Sequence, residues 1–331
     1  MGLYVFYGNC CARERRSDGN RRDLCSHVLC HTSYITHPHR HVAKRYAYDR
    51  NKATVIAKHY PDDRNKNIVK QGKFAIIKLC ELLYIWETVS MKKPKMILFD
   101  YGQTLVNEQR FNGVRGTEAV LKYATKNKYG KSAEEIQAYA TMLNQEMGRF
   151  DPEKKHLFQI EVPNYMFTKY LYESQGIELS ITPEEIDRVF WDAAAPGTAT
   201  EGMAEFLGYL KEKGIRTGVI SNISYCGAAV EDRINRCLPE NEFEFIMATS
   251  EYMYRKPHKR IFELALKKAS LQPEDVWYVG DQYQCDIVGA TNAGLFPVWY
   301  IGAIDMKYEP KENILTIEKW ETLRELLDSL N

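Results

Sequence analysis

The stretch Lys95–Leu105, KMILFDYGQTL, decides the fold. Four apolar residues in succession, Met96 to Phe99, lead into a carboxylate, Asp100, and small or polar residues follow at once: Gly102, Gln103, Thr104. An unbroken apolar run, as opposed to an alternating one, marks a strand covered on both faces, as in a parallel sheet. A carboxylate at the carboxyl end of such a strand stands where open α/β sheets collect ligands. On this stretch alone, a strand and an ordinary turn at Gly102 is an equal reading. The rest of the chain separates the two.

Downstream, the chain alternates helix and strand from Thr200 onward. GMAEFLGYLKEKG reads as an amphipathic helix closed by Gly214, and Arg216–Ile220 as a buried strand ending in Ser221-Asn222. Ala228–Cys237 reads as a helix, Phe243–Ala248 as a strand, and Pro257–Ser270 as a helix opened by its proline. Val276–Gly280 is a strand ending in Asp281, a helix starts at Asp286, Pro297–Ile301 is a further strand, and Lys319–Leu330 a closing helix. Such alternation predicts a doubly wound parallel sheet with helices on both faces. Asp100, Ser221 and Asp281 each end a strand, so a parallel sheet lines them along one edge.

Between Leu105 and about Pro196 the pattern is helical, over Thr117–Thr125, Ser132–Met147, Glu161–Glu173 and Thr182–Asp192. Ser132 with Glu135 and Thr182 with Glu185 are capping-box pairs. The aromatics here, including Tyr165, Phe167, Tyr172, Phe190 and Trp191, are expected mainly to pack a small helical bundle, with a few facing a substrate.

The 331-residue chain has room for two or three domains. Its net charge of +1 hides an asymmetry: residues 1–90 hold 16 Lys+Arg against 8 Asp+Glu, a net of +8, leaving 29 against 36, a net of −7, for residues 91–331. Five of eight cysteines and six of eight histidines also precede residue 91, but their spacing is wrong for zinc, with no second Cys pair or clean His pair to match Cys25 and Cys30. Met91 precedes KKPKMILFD directly, and Trp86-Glu87 just upstream requires the codons TGG-GAR, a purine run resembling a bacterial ribosome-binding site. Residues 1–90 are therefore expected to be a non-native or disordered extension, ahead of a core formed by 91–106 and 197–331 and an insert at 107–196. No apolar run reaches the roughly 20 residues of a membrane span. Neither a secretory leader nor a lipidation signal is visible, so the expectation is a cytoplasmic protein with reduced cysteines, without nucleic-acid or membrane partners.

FDYGQT, VISN, RKP and VGDQYQCD, in this order, resemble the four motifs of the haloacid dehalogenase-like (HAD) hydrolase superfamily. The likeness covers about residues 95–305, and the helical insert occupies the position of that family's cap domain in its phosphatase-rich branch. The resemblance implies a Rossmann-like core of at least five parallel strands in the order 5-4-1-2-3 under an all-helical cap. It implies a Mg²⁺-dependent phosphatase acting on a small phosphorylated metabolite. Asp100 would be the nucleophile that becomes an aspartyl-phosphate. Asp100, the Gly102 carbonyl, Asp281 and Asp286 would hold Mg²⁺, a hard cation suited to oxygen ligands. Ser221, Asn222 and Lys256 would bind the phosphoryl group, Lys256 by neutralising its charge. Individually these residues could be helix caps, turns or solvated side chains.

One departure bears on mechanism. Phosphatases of the family carry a second Asp two residues after the nucleophile, as the proton donor to the leaving oxygen; here that position is Gly102. A substrate with a good leaving group, or a substitute such as Glu108 or His156, would remove the need. Dehalogenases of the superfamily also lack that Asp, but they work without metal and lack the counterpart of Asp281. A phospho-ligand binding protein without turnover is a third alternative. Arg110, Arg115 and the aromatics of the insert are candidates for substrate contacts, and Cys226 for an accessible thiol or a packed residue.

Overall fold

The computed structural model describes residues 91–148, 159–303 and 314–330. The expectations for residues 1–90 and for His156 lie outside the described residues.

Strand β1 (Met96–Phe99) is fully buried. It lies between β6 (Arg216–Ser221) and β8 (Val276–Gly280), parallel to both, in register Leu98↔Gly218 and Leu98↔Tyr278. With β7 (Ile246–Ala248), β9 (Phe296–Tyr300) and β10 (Leu315–Ile317) these form a six-stranded parallel sheet in the order β10-β9-β8-β1-β6-β7. The expected five-strand order is contained in it, and β10 extends one edge. The apolar signal of LTI is too short to stand out in the sequence.

Because side chains alternate across a strand, β1 feeds two cores. Ile97 and Phe99 join Phe206 of α5 (Met203–Glu212) and Trp320 and Leu323 of α10 (Trp320–Ser329). Met96 and Leu98 join Ile261, Phe262 and Ala265 of α8 (Lys259–Ala269). Each fully buried side chain of this size contributes about 1.5–3 kcal/mol, so the strand that carries Asp100 is held from both sides.

The insert contains α1 (Gly113–Leu121), α2 (Ala133–Glu146), α3 (Asn164–Ser174) and α4 (Pro183–Ala194). Both capping boxes form. The insert is helical as expected, with one addition: β3 (Ala124–Asn127) pairs antiparallel with β4 (Ile177–Leu179). Val120, Ile136, Ala140, Leu171, Tyr172 and Ile177 build its own core. Of the aromatics, Tyr172 and Trp191 are buried, whereas Tyr165 and Tyr170 are exposed. A second antiparallel pair, β2 (Val106–Glu108) with β5 (Gly197–Ala199), carries the chain into the insert and back.

Several boundaries differ from expectation for local reasons. α3 begins at Asn164, not Glu161, because Pro163 disfavours helix in the residue before it. Glu161 is instead buried, accepting from Thr249 at 2.9 Å and pairing with Arg255 at 2.9 Å. α8 begins after Pro257, capped by His258, whose Nδ1 accepts from the Arg260 N–H. Asp286 lies inside a π-turn, Tyr283–Ile287, that precedes α9 (Val288–Asn292). Such turns recur at functional sites.

Leu98→Ala should lower unfolding stability by about 2–5 kcal/mol, since it opens a cavity in a strand packed on both faces. A urea midpoint unchanged from wild type would contradict this placement.

Candidate active site

The three strand ends meet at one edge of the sheet. Asp100 follows β1, and its N–H donates to the Val279 carbonyl at 2.8 Å, which ties it to the end of β8. Ser221 closes β6 and Asp281 follows β8. Asp100, Gly102, Ser221, Asn222, Lys256, Asp281 and Asp286 all line one cavity of about 200 Å³.

At its centre is Lys256, 2% exposed. Its Nζ donates to Asp100 Oδ1 at 2.6 Å, to Asp286 Oδ1 at 2.7 Å and to the Tyr278 hydroxyl at 2.6 Å. Burial pulls the ammonium pKa down, but the two carboxylates outweigh it and hold it above the usual lysine value. The Asn222 side chain clamps the Lys256 main chain from both directions, accepting from its N–H at 2.7 Å and donating to its carbonyl at 2.8 Å. Asn222 thus places the lysine, and both of its polar atoms already have partners.

The carboxylates of Asp100, Asp281 and Asp286 each offer an oxygen within 4.8 Å of the others, and all three residues are buried. One oxygen of Asp286 faces Lys256, and the other accepts from the Gln282 N–H at 2.8 Å. This position requires the neighbouring glycine: a Cβ on Gly280 would sit 2.4 Å from the Asp286 carboxyl carbon. Asp281 Oδ1 is buried without a hydrogen-bond partner among the described residues. Burial, then repulsion from Asp100 and Asp286, pushes Asp281 up to about 9 and raises Asp286, mainly by burial, to about 6. Three buried carboxylates around one ammonium leave unbalanced negative charge and an orphaned oxygen.

Tyr278 carries no functional signal in the sequence, where VWYVG reads only as an apolar strand. Its buried hydroxyl accepts from Lys256 and donates to the Ile220 carbonyl at 3.2 Å, fixing the ammonium beneath the sheet edge. Arg233 and the role of Trp191 are also invisible to sequence reasoning. Arg233 is buried, with its guanidinium 4.1 Å from the Trp191 ring centre. Trp191 stacks on Tyr225 at 4.7 Å. Trp191 and Tyr225 wall a second cavity of about 1210 Å³, which lies between insert and sheet edge and shares Gln103, Glu108, Asn222, Ile223 and Gln282 with the first. Arg110 lines it. Arg115 instead bonds the Ala193 and Ala194 carbonyls at the end of α4. Cys226 is half-buried, and its N–H donates to Asp187 of the insert at 2.8 Å; burial pushes its thiol up.

Known proteins share parts of this sequence and fold. The chain is 33% identical over 106 residues to the glyceraldehyde 3-phosphate phosphatase of Pyrococcus furiosus, covering 30% of this chain and 42% of that one. It is 29% identical over 136 residues to the haloacid dehalogenase-like hydrolase domain-containing protein 3 of Mus musculus, covering 39% and 53%. The chain therefore spans about half the length of such curated relatives or less. Among solved structures, a HAD phosphatase from Thermococcus onnurineus aligns with a TM-score of 0.48 at 19% identity, over 71% of this chain and 98% of that one. A 2-haloacid dehalogenase from Pseudomonas syringae aligns with a TM-score of 0.48 at 20% identity and the same coverage. The sequence profile of the haloacid dehalogenase-like hydrolases matches residues 94–294, and with that match the chain belongs to this hydrolase family.

Proposed function

We propose that the protein is a Mg²⁺-dependent phosphatase that transfers the phosphoryl group of a small phosphorylated metabolite to Asp100 and then to water. The observation that carries this reading is the meeting of Asp100, Lys256, Asp281 and Asp286 in one buried pocket at the carboxyl edge of the sheet. Asp100, Asp281 and Asp286 would hold the ion, and the donor set fits: hard carboxylate oxygens, one without a partner, in a cluster short of positive charge. When bound, Mg²⁺ would offset the repulsion between a carboxylate nucleophile and an anionic phosphoryl group.

The chain's own residues do the rest. Asp100 stands on a strand that cannot shift, so its oxygen meets the phosphorus in a fixed line. Lys256, held by Asn222 and Tyr278, keeps a full positive charge beside it. Ser221, buried at the end of β6, offers a hydroxyl to a phosphoryl oxygen. The insert, residues 107–196, would act as a cap that excludes water while substrate is engaged, turning about the β2–β5 pair. The name of the Pyrococcus furiosus relative is consistent with phosphoryl chemistry.

Two measurements test this reading. Saturating Mg²⁺, at about 100 times its dissociation constant, should raise stability by about 2.7 kcal/mol, seen as an upward shift in Tm that Asp281→Asn abolishes. A Tm indifferent to Mg²⁺ in the wild type would remove the ion from the site. Hydrolysis of p-nitrophenyl phosphate should require Mg²⁺ and fall by at least about 10³-fold in Asp100→Asn. Metal-independent chloride release from a 2-chloro acid, without phosphate turnover, would make the protein a dehalogenase; turnover of neither would make it a binder.

A further inference from the structure

We propose that Glu108 is the proton-transfer residue of this site, serving the leaving oxygen and then the attacking water. The proposal rests on the phosphatase reading above. Expelling an alkoxide from phosphorus needs a proton donor beside the departing oxygen, and position 102 has no side chain to provide one.

The geometry puts a carboxyl group at that spot from another strand. A Cβ built on Gly102 would have Glu108 Oε2 as its nearest neighbour, 4.0 Å away. The space that a side chain at 102 would enter is therefore bordered by Glu108, which ends β2 six residues later. Its two oxygens are not equivalent. Oε1 accepts from Trp191 Nε1 at 2.8 Å, Arg233 Nη1 at 3.1 Å and the Tyr101 hydroxyl at 3.3 Å. These contacts fix the carboxyl plane and leave Oε2 as the oxygen beside Gly102. Glu108 lines both the catalytic pocket and the larger cavity, so it stands where the phosphoryl centre gives way to space for a leaving group. Burial raises its pKa against the opposing pull of Arg233, which favours a carboxyl group able to hold a proton between turnovers.

The chemistry balances. As Asp100 attacks phosphorus, the P–O bond to the alcohol breaks and the proton on Glu108 passes to the departing oxygen, leaving an aspartyl-phosphate and a Glu108 carboxylate. Water then attacks the same phosphorus, the bond to Asp100 breaks, and the water's proton returns to Glu108 as inorganic phosphate forms.

A structural role, as the partner of Arg233 alone, predicts something different, because it would not distinguish leaving groups. The test is Glu108→Gln on the full chain with Mg²⁺, assayed on p-nitrophenyl phosphate and on an alkyl phosphomonoester such as β-glycerophosphate. The expected loss in kcat/KM, which reports formation of the aspartyl-phosphate, is about 10²–10⁴-fold on the alkyl ester and under about 10-fold on the aryl ester, whose phenolate leaves without a proton. By contrast kcat, which includes the shared hydrolysis step, should fall on both. Adding Gly102→Asp, for which there is room, should recover much of the alkyl activity. Should the Gln variant not fold, Glu108→Asp keeps the charge facing Arg233 and should still lose more kcat/KM on the alkyl ester than on the aryl ester. Equal losses in kcat/KM on both esters, or none on either, would overturn the assignment while leaving the phosphatase intact. A wild type that hydrolyses neither ester overturns both.

Discussion

One constraint governs this molecule: three carboxylates share a buried space with a single ammonium. Removing charges from water is costly, and attraction between partners repays the cost only when geometry is good and the remaining lone pairs are occupied. Lys256 meets this condition, with two carboxylates and a hydroxyl around it. Asp281 does not, and its orphaned oxygen and raised pKa record the deficit. A site in this condition favours whatever cation completes it. The end of these strands is therefore a charged cluster and not a neutral core.

The scaffold is arranged to tolerate that charge. Strands β1, β6 and β8 are anchored by apolar side chains on both faces, so their carboxyl ends cannot drift apart when the carboxylates repel. Gly280 removes the one side chain that would block Asp286. Asn222 and Tyr278 then hold the lysine by its main chain and its head. The insert adds what the sheet edge lacks: a roomy second cavity, a wall in which Trp191 stacks on Tyr225 and is backed by Arg233, and the strand that brings Glu108 beside Gly102.

Much of this architecture is legible in the order of residues. The unbroken apolar run MILF announces a buried central strand, because only a strand covered on both sides needs no polar alternation. The capping boxes at Ser132 and Thr182 fix two helix starts, because a short polar side chain and a glutamate three residues on satisfy orphan N–H groups locally. The motif residues that end strands fall together because parallel strands end on one edge. By contrast, the edge strand Leu315–Ile317 and the ribbon Ala124–Asn127 with Ile177–Leu179 are short and weakly patterned, and they exist only by pairing.

What the sequence determined by itself was local and periodic: the order of strands and helices, the carboxylates at strand ends, the glycine where a proton donor would be expected. What only tertiary structure decided was which polar groups of apolar-looking elements turn inward. Tyr278 belongs to the site because its strand register points its hydroxyl at Lys256, and Arg233 because its helix packs against the insert. Glu108 approaches Gly102 because the chain turns back on itself between them, with the Tyr101 carbonyl accepting from Leu105 and Val106. The Tyr278 and Arg233 contacts depend on how elements cross in space, which residue spacing does not record, whereas Glu108 lies only six residues from Gly102 and the turn at Tyr101 decides that its carboxyl faces that glycine.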